Sequence, residues 1–275
     1  MTKLKKNEWY CTCPGPLDID APEGVQRGIE AVGAKGKFWP IGSTIKIGFI
    51  GGTAAQKAKV RAVYAQWKLS ANLEFAYPDA GPWDIRIAFQ AGGGAWSYVG
   101  TDARYVQSGP TMNLGFDQQG TYEHEAGHSL GMVHEQQLEN GVCYNEANVI
   151  QDLSGPPNNW SVEQIRFNVL NYHKPADIIT SGYDPTSIMH YPIPARWTCN
   201  GVAIPGGKVI SPQDKAFIAA RYPGVTIPPD PINITLTPQQ AAELRQGALN
   251  VQTATNTANE AAKAHRAKIQ AILGN

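Results

Sequence analysis

The chain has 275 residues, 42% of them apolar, with 23 lysines and arginines balanced by 23 aspartates and glutamates. Zero formal net charge offers no electrostatic footprint for nucleic acid, and no apolar run reaches the length of a membrane span. The length fits one medium domain with extensions, and 28 glycines with 20 prolines fit a loop-rich enzyme better than a helical bundle.

Residues 1–36 read as an irregular leader containing Cys11, Cys13, Pro14, Pro16 and Pro22. Its lysines are not followed by the apolar stretch of a signal peptide. Residues 43–50 alternate Ile45, Ile47 and Phe49, which predicts a strand, and Gly51 with Gly52 ends it. Residues 53–70 predict a helix with Val60, Val63, Trp67 and Leu69 on its buried side. Strands are expected at 72–77 and 84–89. Residues 90–94 form a glycine-rich turn, and no helix follows it to build a phosphate site. Trp96, Ser97, Tyr98 and Val99 read as a short edge strand, able to pair with an extended peptide. Another strand at 111–116 leads into a helix opened by Thr121 as N-cap. Helices follow at 145–153 and 161–172, the second with Ser161 and Gln164 as a capping box. A last helix spans 211–222. Pro228, Pro229 and Pro231 mark residues 225–236 as a stiff linker. Residues 237–275 read as a helical extension, opened by Thr237 and Pro238 and too sparse in apolar residues for a coiled coil. The enzyme domain is therefore placed at 37–224.

The densest chemical signal is His124-Glu-Ala-Gly-His-Ser-Leu-Gly-Met-Val-His-Glu135. His124 and His128 stand four apart, so a helix projects both from one face. Two neutral imidazoles there can take two positions of a tetrahedral zinc. Glu125 cannot share the direction of its neighbour, so its carboxylate reaches the rim, where it can take a proton from water. Gly131 can adopt positive φ and turn the chain sharply. His134 then returns as third ligand and leaves a fourth position open. One catalytic Zn2+ is the expected cofactor.

Downstream, residues 184–191 read Asp-Pro-Thr-Ser-Ile-Met-His-Tyr. A methionine turn after the long zinc motif marks the metzincin metalloproteases. The two motifs together resemble the astacin family, particularly its short microbial members, over about residues 37–223. The resemblance implies an α+β fold: a two-lobed protease with a twisted mixed sheet and helices above the cleft and an irregular helical lower lobe. It implies Met189 as a hydrophobic floor beneath the zinc. It implies Tyr191 as a fifth zinc ligand that swings away to stabilise the oxyanion. It also implies protein or peptide substrates lying along Trp96–Val99. Members of the family pair their mature amino terminus with the glutamate matching Glu135. Two departures stand out: Ala95 replaces a cysteine common in animal astacins, and Met132 replaces a phenylalanine.

In the fold so implied, Cys143 follows the zinc motif and Cys199 follows the Met-turn, which suggests a disulfide and an oxidising, extracellular setting. A Cys11 or Cys13 thiolate could cap the zinc in a latent form. His190 is expected to be a structural hydrogen-bonding group, whereas His173 and His265 carry no motif. Arg196 either lines the pocket after the cut, favouring acidic side chains, or is a surface arginine. The expected activity is that of a zinc endopeptidase. Two alternatives are a delivered toxin or host-interaction factor using the same chemistry, and a zinc-containing binding module without turnover. Oligomeric state is not encoded in any of these signals.

Overall fold

The computed structural model describes residues 33–117, 120–156 and 158–225. Their strands are β1 (Thr44–Ile50), β2 (Glu74–Ala76), β3 (Ile85–Ala88), β4 (Ala95–Ser97) and β5 (Met112–Leu114). Their helices are α1 (Ala54–Lys68), α2 (Thr121–Ser129), α3 (Glu146–Leu153), α4 (Val162–Ile165) and α5 (Pro212–Arg221). The strands form one sheet in the order β2-β1-β3-β5-β4. All neighbours run parallel except β4, which is antiparallel to β5 and occupies the edge. The expected edge strand is thus at the edge, although regular pairing stops at Ser97.

α1 begins where Thr53 and Gln56 satisfy each other's backbone N–H groups, at 3.2 and 2.8 Å. It buries Val60, Val63, Tyr64 and Trp67, the spacing of one helical face. Leu69 departs from expectation. It caps the helix instead of continuing it, and its side chain is 73% exposed. Tyr64 fills the buried face instead, with its hydroxyl 2.7 Å from Ser129 Oγ on α2.

Two apolar clusters organise the domain. The upper one joins the sheet residues Ile45, Ile47, Ile85 and Ile87 to Trp67 of α1, to α2, and to Phe217 and Ile218 of α5. The lower one gathers Val149, Leu153, Ile165, Val169, Ile193 and Trp197 around α3 and α4. Residues 161–172 open with the expected Ser161–Gln164 capping box, but after one α-helical turn they widen into a π turn at Arg166–Leu170. The Cys143–Cys199 disulfide is present, with Cα atoms 5.5 Å apart. Beside it, Tyr144 and Thr198 form a β-bridge.

Ala34 is buried, and its N–H donates to Gly131 O at 3.1 Å. Residues just before 37 therefore pack on the domain. Cys11, Cys13, the linker beyond residue 225, the extension at 237–275 and His265 lie outside the described residues.

Candidate active site

α2 starts from Gly120 at φ 88°, so Thr121 is the first helical residue and not the cap expected from sequence. A Cβ on Gly120 would lie 3.0 Å from Ile188 Cδ1 and 3.2 Å from Lys208 O, leaving little room for a capping side chain. The helix stops at Ser129, and Gly131 turns the chain at φ 96°, as its position in the motif predicts. The backbone N–H of Glu135 then donates to Met189 O at 3.1 Å, docking the returning segment on the Met-turn.

This path brings His124, His128 and His134 together, with one ring nitrogen from each lying within 4.8 Å of the others. The Nε2 atoms of His124 and His128 are 3.0 Å apart, and those of His128 and His134 are 3.2 Å apart. His124 Nδ1 lies 2.7 Å from Ile188 O, and His128 Nδ1 lies 2.9 Å from Met132 O. A carbonyl only accepts, so both Nδ1 atoms carry the proton. Burial holds all three rings neutral: it pushes His124 down to about 4 and His128 and His134 well below their ordinary value. A neutral ring protonated at Nδ1 keeps its lone pair on Nε2. Converging lone pairs repel unless a cation lies among them, so the donor set fits a divalent metal that accepts nitrogen ligands.

Met189 is fully buried beneath α2. A Cβ on Gly127 would meet its Sδ at 2.5 Å, which explains the glycine within the histidine motif. The Tyr191 hydroxyl lies 2.9 Å from His134 Nε2, and the Tyr191 ring stacks on that of His124 at 5.8 Å. Glu125 is 1% exposed on the same helix turn as His124. Among the described residues, no other group of three metal-ligating side chains converges in this way.

A family model of the astacin peptidases matches residues 32–197. The chain belongs to the astacin family. A solved structure of myroilysin is similar at 34% identity, covering 70% of this chain and 99% of that one, with a TM-score of 0.68. A second myroilysin structure matches at 31% identity, over 78% and 100% of the two chains, with a TM-score of 0.54. A hatching-enzyme zinc-protease, high choriolytic enzyme 1 of Oryzias latipes (Medaka fish), matches at 21% identity over 68% and 94%, with a TM-score of 0.47. No protein with a curated description matches the chain. This astacin is a zinc metalloendopeptidase with the two-lobed α+β fold of its family.

Other residues of this astacin divide clearly. Arg196 ion-pairs with Asp152 and donates to Gln151 Oε1 at 3.0 Å, both on α3, so its guanidinium is engaged on the surface of the lower lobe. His190 is structural. Its Nδ1–H donates to Tyr191 O at 2.6 Å, and its Nε2 accepts from Tyr183 Oη at 2.8 Å. His173 is buried, and its backbone N–H donates to Gln137 O at 3.0 Å. Glu135 is 2% exposed and accepts from Asp184 N–H at 2.7 Å; burial pushes its carboxyl up to about 8. On the edge strand, Trp96 is half-buried and packs edge-on against Tyr98 at 6.1 Å, while Ser97 and Val99 point inward.

Sequence reasoning missed two residues that hold the site. Asp214 accepts from Ser187 Oγ at 2.6 Å and from Ile188 N–H at 2.8 Å, tying the Met-turn to α5. It also caps α5 in a reciprocal pair with Ser211, a signal readable in the chain as Ser211-x-x-Asp214. The second is Gln137, whose side chain lies 3.3 Å from His134 Nδ1.

Proposed function

We propose that His124, His128 and His134 hold one catalytic zinc ion, with Glu125 as general base and Tyr191 as oxyanion donor. The convergence of three Nε2 lone pairs in a buried, neutral cluster carries this reading. Zinc bound there would lower the pKa of a coordinated water toward neutrality and polarise a peptide carbonyl. Glu125 then accepts the proton of the attacking water and passes it to the departing amine. Tyr191, whose hydroxyl lies within the histidine cluster, donates a hydrogen bond to the oxygen that becomes negative as the carbonyl is attacked. The hydroxyl also lies close enough to the cluster to serve as a fifth ligand at rest. The substrate backbone lies along Trp96–Val99, where β4 ends the sheet. The Cys143–Cys199 pair fits an exported protein working in an oxidising setting.

The test is cleavage of an unfolded protein by the purified chain and by Glu125→Ala, with zinc content measured for both. The wild type should cut and a chelator should stop it. The variant should keep its zinc and lose roughly 10²–10⁴-fold in rate. A zinc-loaded variant that still cuts at the wild-type rate removes Glu125 from the mechanism.

A further inference from the structure

Each of the three imidazoles turns its Nδ1 toward an oxygen, but the oxygens differ in kind. For His124 and His128 the acceptor is a main-chain carbonyl. For His134 it is a side-chain atom, Gln137 Oε1 at 3.3 Å. An amide side chain can face either way, so something must decide which end His134 meets.

The structure decides it through the π turn. Asn171 N–H reaches back five residues to Arg166 O at 2.8 Å. Regular α-helical pairing would have given that N–H to Phe167 O. Phe167 O instead accepts from Gln137 Nε2 at 2.7 Å, and Asn171 O accepts from the same nitrogen at 2.9 Å. Both partners are carbonyls and can only accept, so the amide nitrogen must face them and Oε1 must face His134. His134 must then carry its proton on Nδ1, which leaves the Nε2 lone pair turned toward the other two imidazoles. The Tyr191 hydroxyl beside Nε2, at 2.9 Å, is compatible with that tautomer because it can donate to the ring. Gln137 is itself 2% exposed, so water does not compete for these bonds. The backbone adds to the clamp, since Gln137 O accepts from His173 N–H at 3.0 Å.

We infer that Gln137 is a positioning residue that fixes the tautomer and ring orientation of His134 for the metal, with the π turn Arg166–Leu170 as its anchor. This rests on the reading that His134 is a zinc ligand. Outer partners of ligating histidines commonly matter about 10–100-fold for metal affinity. Here the outer partner ties the third ligand to the lower lobe, whereas His124 and His128 depend on carbonyls of the Met-turn and of the motif itself.

The test uses the zinc-loaded full chain and two variants. Gln137→Met keeps the length and removes every polar contact. Gln137→Glu keeps an oxygen for His134 and removes the two N–H donors. Both should melt below the wild type, because both leave Phe167 O and Asn171 O without their donor. Zinc affinity, measured by competition with a chelator, should fall about 10–100-fold in Gln137→Met and clearly less in Gln137→Glu, which loses the anchor but still offers His134 an acceptor. A merely structural role would make affinity follow melting temperature in both variants, and that result overturns the proposal. Nitrogen NMR of the wild type gives a check independent of variant folding. The His134 ring should carry its proton on Nδ1 and exchange it slowly with water; a rapidly exchanging proton there overturns the proposal too. Failure of the wild type to bind zinc would instead sink the underlying reading, and would be seen before any Gln137 variant was made.

Discussion

Gly127 has no room for a side chain because Met189 Sδ occupies the space a Cβ would need. Gly127→Ala should therefore push α2 away from the Met-turn and cost about 1–3 kcal/mol of stability. Zinc affinity should fall with it, since the same helix carries His124 and His128, and an unchanged melting temperature would refute the packing claim. Given the proposed role of Tyr191 as oxyanion donor, Tyr191→Phe should leave zinc content and KM close to wild type while lowering kcat by roughly 10²–10³-fold, and an unchanged kcat would refute that role. The convergence of the three histidines and the turn at Gly131 can be read from the chain because the spacing of the motif works within one or two turns. Gln137 cannot. Its amide is oriented by carbonyls 30 and 34 residues away, and one of them is available only because a helix widens.

The strands are legible where apolar residues alternate, as in β1, and the helices where caps are written locally, as at Thr53, Ser161 and Ser211. The misses fall at boundaries set by tertiary contact. The apolar period that puts Leu69 in the core runs beyond the end of α1. Thr121 has the chemistry of a cap, but the left-handed turn at Gly120 answers to Ile188 and Lys208, far along the chain. Two long-range ties hold the elements around the site. The disulfide closes a loop of 56 residues between the segment after His134 and the segment after Tyr191. Cys143→Ser with Cys199→Ser should cost about 2–4 kcal/mol of stability, read from denaturant midpoints. The second tie is Asp214, buried between the Met-turn and α5. Asp214→Ala leaves the Ile188 and Ser211 N–H groups without their acceptor and should cost about 1–3 kcal/mol or more. Asp214→Asn, which keeps one acceptor oxygen, should cost less.

Several histidines are buried together, so stability should depend on acidity in a defined direction. Burial pushes His124 and His190 down to about 4 and His173 to about 3, from an ordinary 6.5. In the unfolded chain these rings take up protons near 6.5, whereas in the folded metal-free protein they do so only at the lower values. Between those limits the unfolded state holds more protons, so stability falls as pH falls. Glu135, pushed up to about 8, acts in the opposite direction, but the three histidines outnumber it, so melting temperature of the metal-free protein should drop from about pH 6.5 toward 4 and change little only above about pH 8. A profile flat across that window would show that the rings are not held neutral by burial.

Tyr222 closes α5 and yet finishes the centre of the domain. Its hydroxyl donates to Leu130 O at 2.8 Å and accepts from Trp39 N–H at 3.1 Å, securing the stretch where the zinc helix stops. Asp214 of the same helix secures the Met-turn. A chain emerging from the ribosome therefore carries all three motif histidines long before it can hold them in register. A fragment ending at residue 210 has every ligand in its sequence, and it should bind zinc weakly and cut nothing. If that fragment is inactive, synthesis order alone should keep the nascent peptidase silent until α5 has been made.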